Sequence, residues 1–176
     1  MRNRTFGALA IACLWTATTG LSGDAPAQAV DGKAAFEELK KLDGDWEGHV
    51  MTSDGPEMAV SYRVTAAGSV VMERLFPGTP HEMVTMYHVD GKDLVLTHYC
   101  AAGNQPRLRL NPATSKPREL SFDFVGGSNL DPAVDSHMHS GRVLLKDDAH
   151  IESVWIGYDH GKPSGTKRFI LTRKQP

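Results

Sequence analysis

From residue 30 onward the chain alternates apolar and polar positions in short runs, the pattern of half-buried strands whose side chains point to opposite faces in turn. Runs at 46–52, 58–66, 70–76, 82–89, 93–101, 107–111, 119–125, 137–146, 151–159 and 167–173 are rich in Val, Ile, Thr, Tyr and aromatic residues and are predicted to be strands. Turn chemistry separates them, as at Ala67-Gly68, Pro77-Gly78, Asp90-Gly91, Asn111-Pro112, Gly126-Gly127, Asp147-Asp148 and His160-Gly161. Only the segment 34–42 has helical spacing, with Ala35, Leu39 and Leu42 on one stripe beside Phe36, and Gly44 follows as a stop. Short strands in meander order behind one short helix predict an antiparallel up-and-down β-barrel, because closure removes both exposed sheet edges. The longest irregular stretch, 126–136, is expected to be either a functional loop or a connector.

Parity along the strands sorts side chains into faces. With Asp90-Gly91 as a two-residue turn, Val89 faces Lys92, Tyr87 faces Leu94 and Met83 faces His98. Met83, Tyr87, Leu94, Leu96, His98 and Cys100 then share the less charged, inward face. In 137–146 the odd positions put His137 and His139 on the side of Val143 and Leu145. With Asp147-Asp148 as the turn, Val143 faces Glu152, so Glu152 is expected to point inward near the histidines. A buried carboxylate there has to be paired, as a structural ion pair or as part of a site.

The N-terminus adds a compartment. Met1-Arg2-Asn3-Arg4 precedes an apolar stretch from Phe6 to Leu14 and a small, polar stretch ending Ala27-Gln28-Ala29, the three regions of a secretory signal peptide. Cleavage after Ala29 is expected, leaving residues 30–176 as a single exported domain, periplasmic or secreted, without a transmembrane segment. Cys13 after Ala10-Ile11-Ala12 is a loose match to a lipoprotein box, but the aliphatic residue three positions before the cysteine is missing. The mature segment carries 17 basic and 20 acidic residues, with no basic face for nucleic acid. It keeps Cys100 as its one cysteine, so no internal disulfide can form.

Candidate chemistry gathers on two hairpins. His98, His137, His139 and Glu152, with Tyr87 and Cys100 nearby, make a polar cluster inside an apolar barrel. Three readings stand: a satisfied hydrogen-bonding network, a metal site built from His98, His137, His139 and Glu152, or an axial histidine for haem. Catalysis by Cys100 lacks support, since no third group orients a base and no G-x-S-x-G is present. In Gly103-Asn104-Gln105-Pro106-Arg107, Arg107 offers a planar fork for a ligand carboxylate at the barrel mouth; alternatively Asn104 and Gln105 cap the turn itself. His81, His88, His150 and His160 fall near turns or on solvent faces.

Leu42-x-Gly44-x-Trp46-x-Gly48 behind a short helix resembles the calycins, the group of the lipocalins. Thr97-His98-Tyr99-Cys100 with 103–107, and His137-Met138-His139, resemble an uncharacterised family of bacterial exported lipocalin-like domains. The resemblance implies a cup for a small hydrophobic ligand or haem and names no cofactor or activity. The sequence reading is thus a barrel that binds a small, partly apolar molecule through Tyr87, His98, Cys100, Arg107, His139 and Glu152, with the metal-dependent and filled-barrel readings as alternatives. Oligomeric state is not encoded in any feature of the pattern.

Overall fold

The computed structural model describes residues 30–51 and 57–175. The predicted signal peptide and Cys13 lie outside the described residues, as do residues 52–56, where Ser53-Asp54-Gly55-Pro56 has the composition of a turn. Among the described residues one α-helix, α1 (Gly32–Lys40), precedes strands β1 (Gly44–Val50), β2 (Glu57–Thr65), β3 (Val70–Leu75), β4 (Met83–Asp90), β5 (Asp93–Tyr99), β6 (Gln105–Leu110), β7 (Glu119–Ser128), β8 (His137–Leu145), β9 (His150–Asp159) and β10 (Lys162–Arg173). Every strand pairs antiparallel with its sequence neighbours, and β1 pairs with β10, so the sheet closes into an up-and-down barrel. Closure needs a very close approach of β1 and β10. Gly48 permits it, because a Cβ there would overlap the Ile170 carbonyl.

Asp31 caps α1, its Oδ2 accepting from Ala34 N at 3.1 Å. The helix buries Ala35, Phe36 and Leu39 and packs over the β4–β5 end of the barrel. Trp46 is fully buried at the same end: its Nε1 donates to Leu42 O at 2.8 Å, and the Arg173 guanidinium lies 4.3 Å over its ring. Arg173 also donates to the carbonyls of Lys41, Asp43 and Asp148, so one side chain ties the last strand to the residues behind the helix. Leu39, Trp46, Tyr62, Leu94, Leu120, Phe122 and Leu171 belong to one continuous core.

Two turns differ from expectation, with different consequences. At β4–β5 the pairing is Asp90 with Asp93, so Gly91-Lys92 is the turn and the only positive φ, +63°, falls on Gly91. This moves the register by two, and parity survives: Thr85, Tyr87, Leu94, Leu96 and His98 are buried, but it is Thr85, not Met83, that faces His98. At β8–β9 the register moves by one. Asp147 Oδ1 accepts from Ala149 N at 2.8 Å, which draws Ala149 into a three-residue loop closed by Lys146 N donating to His150 O at 3.0 Å, and Val143 pairs with Ser153 instead of Glu152. A one-residue change reverses faces, so Glu152 points outward.

Bulges supply the remaining differences. The register shifts between Met138 and Ser140, leaving His139 as the extra residue on β8, and again opposite Arg107 and Leu108 on β7. The stretch 126–136 is largely structured: β7 runs on to Ser128, and Asp131 caps the following turn, accepting from Ala133 N while its own N donates to Asp135. No helix among the described residues is long and apolar enough to cross a membrane.

Candidate functional site

The barrel is solid at the helix end and hollow toward the other. Side chains on four adjacent strands meet in one row across the inner wall, because the registers pair Tyr62 with Glu73, Glu73 with Thr85 and Thr85 with His98. Tyr62 Oη donates to Glu73 Oε1 at 2.7 Å, and Tyr87 Oη, one step along β4, donates to Oε2 at 3.0 Å. Thr85, the Cα partner of Glu73 on β4, also favours the ionised carboxyl, and its Oγ1 lies 3.0 Å from His98 Nδ1. All five side chains are buried.

Burial dominates the electrostatics of this row. It pushes the Glu73 carboxyl above the ordinary range, against the three hydroxyls that favour its ionised form. Burial, then the neighbouring carboxyl, raises both tyrosines well above their usual value. His98 is lowered from 6.5 to about 4 because its imidazolium would be desolvated, so the ring is neutral at ordinary pH.

His98 stands at the boundary between this row and a cavity of about 250 Å³. The wall is apolar: Val50, Leu75, Phe76, Met83, Met138 and Phe169, completed by the rings of His98 and Trp155 and by Lys167 on β10. Phe76 and Phe169 meet edge to face at 6.4 Å, and the His98 and Trp155 rings lie 6.0 Å apart. The volume falls between that of a benzene-sized cavity, roughly 150 Å³, and the lower end of drug-sized pockets, roughly 300 Å³. Two buried polar atoms of the wall residues, His98 Nε2 and Trp155 Nε1, have no hydrogen-bond partner among the described residues. Orphaned buried polar atoms are uncommon in native interiors, and here two belong to rings that line one apolar cavity.

The other residues singled out from the sequence fall in separate places. Tyr87 is inward, but its hydroxyl is engaged by Glu73 beneath the cavity. Glu152 lies on the opposite face of β9, held by Arg168 Nε and Nη2 at 2.8 and 2.9 Å and by Lys146 Nζ at 3.0 Å. The Arg168 hydrogen bonds, reinforced by Lys146, hold its carboxyl below the usual range in spite of burial. Arg107 is exposed on the outer face of β6, since its neighbours Pro106 and Leu108 take the buried positions. The amides beside it tie loops together: Asn104 Nδ2 donates to Ser136 O, and Gln105 Nε2 donates to Gly103 O. Cys100 is half-buried in the β5–β6 turn, its Sγ 3.5 Å from Ala102 N.

His137 and His139 do come together, away from His98 and outside the cavity wall. His137 Nδ1 lies 2.8 Å from the Asp135 carbonyl, to which it can only donate. Its Nε2 therefore accepts from His139 Nδ1 at 3.0 Å while both rings are neutral. His139 is stacked on Tyr158 at 3.8 Å and on Phe124 at 4.9 Å, and burial, then the charge of His137, lowers its pKa. Both nitrogens of His137 are engaged, Glu152 is on the outer wall and His98 is inside. Among the described residues no three candidate ligands converge on a metal-sized site.

Sequence reasoning missed Glu73, Thr85 and Trp155. The signal for Glu73 was available: it has the parity of Val71 and Leu75, so a carboxylate stood in an apolar row. Trp155 shares parity with Ile151 and Ser153 and packs its ring over Gly141, its partner across the β8–β9 pair. The chain matches no protein-family model and no curated protein.

Proposed function

We propose that the protein is an exported, lipocalin-like barrel that binds a small, largely apolar molecule in the cavity beside His98. The observation that carries this reading is the pairing of an apolar cavity of about 250 Å³ with a buried histidine nitrogen, His98 Nε2, that has no protein partner. An apolar wall supplies affinity by removing ligand surface from water, and a few polar atoms fix orientation. The opposite end of the barrel, closed by α1 and Trp46, is the rigid floor against which such a site is held. Export rests on the N-terminal pattern of a basic start, an apolar core and Ala27-Gln28-Ala29. Lipocalin-like character rests on Leu42-x-Gly44-x-Trp46-x-Gly48 leading into a closed meander.

The test is native mass spectrometry of protein purified from the envelope of its host, beside the same protein with Met83→Trp, which places an indole in the cavity. A small adduct on the natural protein that is absent from the filled variant is expected. Adduct-free natural protein whose unfolding temperature no small apolar compound raises would overturn the reading.

A further inference from the structure

One formal charge borders the apolar cavity, and it belongs to Lys167. Successive side chains of β10 alternate across the barrel wall, and Phe169 and Leu171 take the buried, inward positions, so Lys167 has the parity of the interior. Its partner across the β9–β10 pair is Trp155, another residue of the cavity wall. Lys167 is nevertheless exposed. An unpaired ammonium is too costly to leave among apolar groups, so the stem of the side chain covers the wall and the charge stands at the mouth.

The cations next to two other wall residues are already matched. Arg168, beside Phe169, is bound to Glu152, and Arg74, beside Leu75, is bound to Glu82, whose carboxylate also accepts from Gly78 N at 2.7 Å. Lys167 makes no ion pair or hydrogen bond among the described residues. His98 is neutral at ordinary pH, and the remaining wall residues carry no charge. The cavity is thus apolar within and singly positive at its rim.

Resting on the reading that the cavity is a binding site, we infer that its occupant is an amphipathic monocarboxylate, with an apolar body the size of one ring inside and its carboxylate at Lys167. The volume of about 250 Å³ exceeds the roughly 150 Å³ that takes benzene, so it admits a ring with a short substituent. One cation matches one negative charge. A phosphate monoester or a dicarboxylate brings a second charge that gains nothing from this wall.

Calorimetric titration with 4-ethylbenzoate, 4-ethylbenzamide and 4-ethylbenzylamine, which share a body and differ in charge, tests this. At low salt the benzoate is expected to bind about fivefold more tightly than the amide, as one exposed ion pair allows, and the amine weakest of the three. The preference should shrink in about 1 M salt, where the screening length is about 3 Å. Lys167→Met keeps the apolar stem and is expected to abolish the preference while leaving the affinity of the amide unchanged. Lys167→Glu should reverse it in favour of the amine, and Met83→Trp, which fills the cavity, should lose all three ligands. Equal affinity for benzoate and amide, a preference that survives Lys167→Met, or benzoate binding that survives Met83→Trp would overturn the anion inference. The cavity reading is scored separately: it holds if the amide binds and Met83→Trp removes that binding. It falls, and the anion inference with it, if none of the three binds.

Discussion

Glu73 is the residue on which the interior polarity turns. A fully buried carboxyl is costly unless its oxygens are satisfied, and here Tyr62 and Tyr87 donate to them from the two flanking strands. Glu73→Leu leaves two phenolic hydroxyls buried without their acceptor. It is expected to lower the unfolding free energy by about 2–4 kcal/mol in urea titration. Adding Tyr62→Phe and Tyr87→Phe removes the stranded donors together with the acceptor and is expected to restore much of the loss. A triple variant no more stable than the single one would show that the cost lies in shape and not in unmet hydrogen bonds. At this scale the sequence was only partly informative. Parity placed His98 and Tyr87 inside, but the row is made by register across β2, β3, β4 and β5, and no turn chemistry between β2 and β4 was sharp enough to set it.

At the scale of the element, the turns decide what a strand presents. Nearly every strand was legible from alternation and punctuation, since β-branched and aromatic residues repeat with period two and glycines mark the ends. The two hairpins show the limit. A turn moved by one position at Gly91 shifted the register by two and left the faces intact, whereas one extra loop residue at Ala149 reversed Glu152 and emptied the expected interior cluster. The His139 bulge is a further case, because no local residue type announces where a ladder slips. The β8–β9 pair also carries the most size-sensitive contact near the cavity. A Cβ at Gly141 would lie 2.7 Å from the Trp155 ring, tighter than packing allows, so Gly141→Ala has to displace the indole. The variant is expected to lose about 1–3 kcal/mol of stability by overpacking. A changed Trp155 fluorescence should accompany the loss. An unaltered spectrum would mean that the backbone yields instead of the ring.

The molecule as a whole combines a hollow that favours neutral groups with an exterior dense in ion pairs, and that division makes its stability depend on pH in a defined direction. His98 has a folded-state pKa of about 4 against 6.5 when exposed, with the Thr85 hydroxyl, the Glu73 carboxyl behind it, the Trp155 ring and Lys167 around it. A base depressed by folding binds fewer protons in the native state than in the unfolded one, so its contribution is complete above pH 6.5 and is lost as pH falls toward 4. By pH 5 the loss from this residue alone is about 2 kcal/mol. His139, lowered by burial and by His137, adds loss of the same sign. Glu73 has the opposite sign: its raised pKa destabilises the fold as pH rises above the ordinary carboxyl range, so acidification relieves it. Glu152, held low by Arg168, weakens only when pH falls below that range. Urea midpoints at pH 7 and pH 5 separate these contributions when the natural protein is compared with His98→Gln, because every other group titrates alike in both. The natural protein is expected to lose more stability between the two pH values than the variant does. An equal loss would place the acid sensitivity outside the cavity and would mean that His98 is more hydrated than its buried position implies.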